Sequence, residues 1–200
     1  PDSPRTLHNR AAVLLRLSRP RDALISLDRA LALSPKFPEA LHNRGVALLK
    51  LRRPIEALEA VDQALAIKPD YRQALRSRGM VLVELHRPEE ALVACEALLA
   101  SDDSALQVRA AALMEMNRPE DAIKELEQAV SGDDDPATVW TLRAQALHKL
   151  GQFDEALSCY RKALEVEPNN PVCQWNLSNI ELTQGNLVDG WRWYEARWAM

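Results

Sequence analysis

Arg19-Pro20-Arg21-Asp22-Ala23-Leu24, Arg53-Pro54-Ile55-Glu56-Ala57-Leu58, Arg87-Pro88-Glu89-Glu90-Ala91-Leu92 and Arg118-Pro119-Glu120-Asp121-Ala122-Ile123 are one phrase written four times. Carried on at a step of 34 residues, shortened once, its alanine recurs as Ala23, Ala57, Ala91, Ala122 and Ala156, and Gly190 holds the sixth place. A period of this length belongs to supersecondary units stacked in series rather than to one globular core. Such a chain is expected to bind rather than to catalyse.

Working outward from the alanine, set at repeat position 20, gives units 4–37, 38–71, 72–102, 103–136, 137–170 and 171–200 in a single array over 1–200. Position 8 is then Ala11, Gly45, Gly79, Ala110, Ala144 and Ser178, and position 27 begins Ala30, Ala64 and Leu98. Small residues at 8 and 20 let two helices of a unit approach closely. Proline at position 17, as Pro20, Pro54, Pro88 and Pro119, suits the first turn of a second helix, where the backbone N–H has no partner in any case. Pro35, Pro69 and Pro168 at position 32 stop that helix. Unit three is three residues short, which predicts a shorter second helix there. Asp133-Asp134-Asp135 reads as a solvated helix cap.

The pattern large-4, large-7, small-8, large-11, Ala-20, large-24, Ala-27, Pro-32 resembles the tetratricopeptide repeat. Unit five matches it most fully, with Trp140, Ala144, Leu147, Gly151, Phe153, Ala156, Tyr160, Ala163 and Pro168. The resemblance implies an all-α fold, a right-handed α-solenoid of about six helix–turn–helix units. First helices would line a concave face and second helices the outside. The family's usual function, a scaffold for protein–protein interaction, is the expectation that follows.

The chain departs from the family at position 7, where Arg10, Arg44, Arg78, Arg109 and Arg143 replace a large apolar residue. Position 25 of units one to four is Asp28, Asp62, Glu96 and Glu127, and it turns to Arg161 where the next position 7 turns to Leu177. Acid and arginine vanish together, so a ladder is expected: Asp28–Arg44, Asp62–Arg78, Glu96–Arg109 and Glu127–Arg143. Charge-assisted pairing makes a half-buried arginine tolerable at such a seam.

Groove positions supply the candidate ligand-binding residues. Position 5 reads His8, His42, Arg76, Gln107, Thr141, Trp175, and position 6 reads Asn9, Asn43, Ser77, Val108, Leu142, Asn176. Position 13 opens with Arg16 and Lys50. The predicted partner-binding set is therefore His8, Asn9, Arg16, His42, Asn43, Lys50, Arg76 and Ser77. Asparagine amides offer donors and an acceptor to the backbone of an extended peptide or of a partner helix. Asn9 and Asn43 resemble the asparagine ladder of the O-linked N-acetylglucosamine transferase repeats, which Ser77, Val108 and Leu142 interrupt here. The chaperone-tail clamp for a terminal carboxylate is not matched, since His8 and Ala12 stand where it wants lysine and asparagine.

Four of five tryptophans fall in the last unit: Trp175, Trp191, Trp193 and Trp198. On a helix Trp191, Tyr194 and Trp198 share a face that would pack inward, leaving Trp193 exposed. Trp191, Trp193 and Trp198 are the candidate interface, to a second copy or to a following domain. Gly185-Asn186-Leu187, Gly190-Trp191 and Tyr194-Glu195-Ala196-Arg197-Trp198 resemble the last repeat of bacterial multi-repeat proteins, many of which continue into a glycosyltransferase-like domain. That resemblance implies an alternative function, the substrate-presenting arm of a larger glycosyltransferase-like enzyme.

The remaining composition narrows the function classes. A net charge of −4 without a basic stripe argues against nucleic acid as the partner. No run of about eighteen apolar residues predicts a membrane span. Cys95, Cys159 and Cys173 lack metal-ligand spacing, which points to reduced thiols and a cytoplasmic setting. No nucleophile motif, phosphate loop or metal cluster is found, so neither catalysis by this chain nor a cofactor is expected. With Pro1 in place of an initiator methionine, the chain is expected to be a piece of a longer protein.

Overall fold

The computed structural model describes residues 3–99, 104–129 and 136–194. Twelve helices and no strand occur among them. They form two compact units, Pro1–Asp102 and Asp103–Met200. The first holds three hairpins: α1 Pro4–Arg16 with α2 Pro20–Leu33, α3 Pro38–Lys50 with α4 Pro54–Ile67, and α5 Arg72–Glu84 with α6 Pro88–Leu99. The second holds three more: α7 Ser104–Glu115 with α8 Pro119–Ala129, α9 Pro136–Lys149 with α10 Phe153–Val166, and α11 Pro171–Thr183 with α12 Leu187–Tyr194. The expected acidic cap at Asp133–Asp135 lies outside the described residues.

The recurring phrase is the hairpin turn. At each turn the first helix ends in a pair of Schellman bonds, as where Arg19 N donates to Leu14 O at 2.9 Å and Ser18 N to Leu15 O at 3.2 Å. The residue at repeat position 15 is left-handed in all six: Ser18, Arg52, His86, Asn117, Gly151 and Gly185, with φ between 54° and 85°. Proline then opens α2, α4, α6 and α8. The arginine before it folds over onto the acid three residues on. Arg19 Nε lies 2.7 Å from Asp22, Arg53 Nε 2.6 Å from Glu56, Arg87 Nε 2.6 Å from Glu90, and Arg118 Nε 2.9 Å from Asp121. These bonds hold the Glu56, Glu90 and Asp121 carboxyls below the ordinary carboxylate range. All four clips are solvent-exposed, so they shape the turn more than they stabilise it.

Small residues at the helix crossings are fully buried: Ala11, Ala23, Ala57, Ala91, Ala110, Ala122, Ala144 and Ala156. Gly45 stands where other hairpins have alanine because a Cβ there would come within 2.5 Å of Val61 Cγ2 and 3.1 Å of Ala57 O. Hairpins with alanine at that position carry Leu27, Leu126 or Tyr160 in the column of Val61, none of which branches at Cβ. Leu27, Leu48, Leu82 and Leu126 fill the layers between helices, each contributing about 1.5–3 kcal/mol by burial. Within each unit the second helix of a hairpin packs on the first helix of the next, and first helices also meet, with α1 on α3, α3 on α5 and α7 on α9. α6 is described as far as Leu99, and the shorter second helix expected of the third repeat turns on residues 100–103, which lie outside the described residues.

The expected charge ladder forms inside the units. Arg44 Nε donates to Asp28 at 2.8 Å and Arg78 Nε to Asp62 at 2.8 Å. Arg143 Nη2 reaches Glu127 at 3.4 Å. Arg109, the first arginine of the second unit, is paired within that unit, with Glu125 of α8 at 2.8 Å. The Glu96 rung would join the two units and stays an expectation. Where the sequence shows acid and arginine vanishing together, the rung is in fact reversed: Arg161 of α10 donates to Glu181 of α11 at 2.8 Å. Glu181 is almost fully buried and takes a second bond from Asn186 Nδ2 at 2.7 Å.

Candidate functional site

First helices α1, α3 and α5 of the first unit present positions 5 and 6 toward one another across the hairpin boundaries. Asn43 Nδ2 donates to His8 Nε2 at 2.9 Å, which leaves the His8 proton on Nδ1, facing Asn9 Oδ1 at 3.3 Å. One repeat on, His42 Nε2 lies 2.9 Å from Ser77 Oγ. The result is a seam in which position 5 of one hairpin bonds position 6 of the next. Each histidine is backed by an aromatic ring from the connecting loop: Phe37 lies 5.1 Å from His8, and Tyr71 sits edge-on 5.3 Å from His42. Sequence reasoning missed these two rings, although both occupy the same repeat position just ahead of a first helix.

His42 is half-buried, and burial together with the nearby Arg76 guanidinium pushes its pKa from about 6.5 down to about 4. The His8 ring acts in the same direction, while a hydrogen bond to the Gln73 backbone and one with the Asn43 side chain oppose it. At neutral pH the seam is therefore uncharged at His42. Positive charge comes instead from Arg16, Lys50 and Arg76, all exposed or half-exposed. None of the three has an ion-pair partner among the described residues. Arg16 and Lys50 end α1 and α3, where a cation also complements the helix dipole. Asn9 is exposed, while Asn43 and Ser77 are half-buried and spend a donor or acceptor on the histidines.

The same columns behave differently in the second unit. Gln107 and Thr141, expected to line a groove, are buried. Thr141 Oγ1 donates to Ala137 O at 2.7 Å and touches Cys173 Sγ at 3.0 Å. Polar lining shifts to Gln145, His148, Lys149 and Asn176, which border a cavity of about 360 Å³. Lys149 Nζ donates across to Met114 O at 3.2 Å. Among the described residues no group of His, Cys, Asp and Glu could hold a metal ion, and no helix is long and apolar enough to cross a membrane.

The aromatic tail packs the other way round from the sequence expectation. Trp193 is half-buried against the core cluster that holds Tyr160, Cys159 and Leu177. Trp191 is 57% exposed, with its ring 5.1 Å from Tyr194. The cause lies in the repeat register. Trp193 falls in the column of Ser26, Ala60, Ala94, Glu125 and Cys159, all buried except the half-buried Glu125. Trp191 falls in the column of Leu24 and Leu58, which pack forward onto the next hairpin. Trp198 lies outside the described residues.

Paired helices, small crossing residues and repeated turns define a helical-repeat protein. The chain belongs to the tetratricopeptide repeat family, which it matches over residues 8–72, 42–105, 82–146 and 137–170. No curated protein sequence matches it. Among solved structures it is similar to a thermophilic tetratricopeptide repeat protein of Thermus thermophilus, at 25% identity and a TM-score of 0.81, covering 90% of this chain and 100% of that one. It is also similar to PilW, a widely conserved type IV pilus biogenesis factor, at 21% identity and a TM-score of 0.76, covering 95% and 90%. MamA from Desulfovibrio magneticus shares 23% identity with a TM-score of 0.62, covering 85% and 98%. Repeats of this family generally serve as scaffolds for protein–protein interaction, and chains built of them alone are typically non-catalytic.

Proposed function

We propose that the chain is a protein-binding scaffold whose first unit takes an extended peptide or a partner helix along α1, α3 and α5. The contact set is His8, Asn9, Arg16, His42, Asn43, Lys50, Arg76 and Ser77. One observation carries this reading: a pre-organised, hydrogen-bonded seam shares one run of first helices with three cations without ion pairs, Arg76 close to His42 and Arg16 and Lys50 at the C-terminal ends of α1 and α3. A seam already ordered costs little side-chain entropy on binding. Its free donors favour a partner rich in backbone carbonyls and carboxylates.

Peptides selected by display on the full chain test it. Their affinity should fall by about tenfold or more when Asn43→Ala and Arg76→Ala are combined, and should hold with Arg21→Ala on α2. Peptides that bind the double variant and the parent equally would refute the assignment. A second reading, the substrate-presenting arm of a larger glycosyltransferase-like enzyme, draws on the tail motif and on the exposed ring of Trp191. It fails if the parent reading frame encodes no such domain.

A further inference from the structure

The second unit has an outer cleft that the groove reading does not use. Ile123 of α8, Trp140 and Arg143 of α9, and Cys159 and Lys162 of α10 enclose about 370 Å³. The first unit has the equivalent cleft, about 430 Å³, with Arg44 in the place of Arg143 and Gln63 in the place of Lys162. The two differ in how their cations are satisfied. Arg44 Nε donates to Asp28 at 2.8 Å, and Glu59 adds a second acid to that cleft. Arg143 Nε is buried and has no acceptor, and Nη2 reaches Glu127 only at 3.4 Å. Lys162 has no ion-pair partner among the described residues; its ammonium sits 4.4 Å from the centre of the Trp140 ring. The Arg143 guanidinium lies 5.8 Å from the same ring.

Two cations with unspent donors therefore converge on one tryptophan. Arg143 Nε is itself closed to solvent, so an incoming carboxylate meets the exposed part of the guanidinium, whose charge Glu127 at 3.4 Å only partly answers. Glu127 and Glu155 stand at the rim. The two acids offset the two cations, so a carboxylate pairing directly with Lys162 and Arg143 meets less repulsion from the rim than a phosphate dianion would. Ile123 and Leu147 supply an apolar wall beside the ring.

We propose that this cleft binds the carboxylate of a glutamate or aspartate that precedes an apolar residue, within an acidic segment of a protein partner. The carboxylate pairs with Lys162 and Arg143, and the neighbouring apolar side chain lies on Trp140 and Ile123. The proposal rests on the reading of the chain as a protein scaffold and gives it a second surface, separate from the seam of the first unit.

The test is titration of the full chain, labelled at its tryptophan indoles, with acetyl-Glu-Leu-amide, followed by NMR. Trp140→Phe assigns the Trp140 signal. That signal should move saturably with the acidic dipeptide, and acetyl-Gln-Leu-amide should bind about tenfold more weakly. Lys162→Gln, checked for unchanged helicity, should erase the difference between the two dipeptides. Inorganic phosphate should leave the signal in place. A still Trp140 signal, equal binding of the glutamine dipeptide, an unaffected Lys162→Gln variant, or an equal response to phosphate would each overturn the proposal. If the dipeptide moves His42 and Asn43 while Trp140 stays still, the scaffold reading stands and this cleft has no part in it.

Discussion

Tyr160 is the largest fully buried side chain of the described residues, and its hydroxyl has no hydrogen-bond partner. Burial pushes its phenol well above the ordinary value. An unsatisfied buried hydroxyl costs about 1–3 kcal/mol, while the ring itself is well packed. Tyr160→Phe keeps the ring and removes the hydroxyl. It should raise stability by about 1 kcal/mol, seen as a higher urea midpoint with an unchanged slope. A lower midpoint would show that a water holds the hydroxyl. His42 makes a prediction about acid. Its folded pKa of about 4 lies below the 6.5 of the free side chain, so the unfolded chain takes up the proton first as pH falls. The stability tied to neutral His42 is complete above pH 6.5 and is lost between 6.5 and 4, at no more than about 1.4 kcal/mol per pH unit. His42→Gln removes that dependence without a charge change at neutral pH. The gap in urea midpoint between parent and variant should narrow steadily from about pH 7 to about pH 4.5, the window the two pKa values set. Parallel curves would place His42 in an ordinary solvent environment.

Turns are the most regular elements of the chain, and they carry strain where the sequence offers no hint of it. Gly151 and Gly185 announce a left-handed residue at repeat position 15, yet Ser18, Arg52 and His86 adopt the same φ with a Cβ in place. Left-handed backbone costs an ordinary L-residue about 1–2 kcal/mol, and glycine returns part of that through its freer unfolded chain. Ser18→Gly should therefore stabilise the chain by about 0.5–1 kcal/mol. Asn117→Gly should gain less, because asparagine tolerates this region. Urea midpoints of the two variants decide it, and the reverse order would mean that the Schellman bonds around Ser18 depend on its side chain. The turn survives such residues because the flanking pieces over-determine it. The first helix closes with two backbone bonds, proline presets the next helix, and the arginine clip pins the corner.

At the scale of the molecule, what was legible in the sequence is what depends on residue type and repeat register alone. Helix number, proline starts, small crossings and the ion pairs Asp28–Arg44, Asp62–Arg78 and Glu127–Arg143 follow from these two. What was not legible depends on how one hairpin is rotated against the next. His8 bonds Asn43, and Trp193 rather than Trp191 turns inward, because a column faces backward or forward only once helices are packed. The reversed Arg161–Glu181 rung was missed for the same reason, since its acid sits four residues beyond the column that carries the arginines. This division has a thermodynamic counterpart. Hairpin arrays are stabilised by each hairpin and by its nearest interfaces, so a lesion should spread only to neighbours. Glu181 is 3% exposed and accepts from both Arg161 and Asn186, tying α10 to α11 and α11 to the turn before α12. Glu181→Ala deletes two charge-assisted bonds at a cost of about 2–3 kcal/mol. Arg161 is left in solvent, which adds no buried charge. Hydrogen exchange of the full chain should then quicken by about thirtyfold or more in α11 and α12, less in α10, and not at all in α1 to α4. Equal acceleration from α1 to α12 would show that the chain unfolds as one cooperative block, and the hairpin-by-hairpin account of its stability would have to be abandoned.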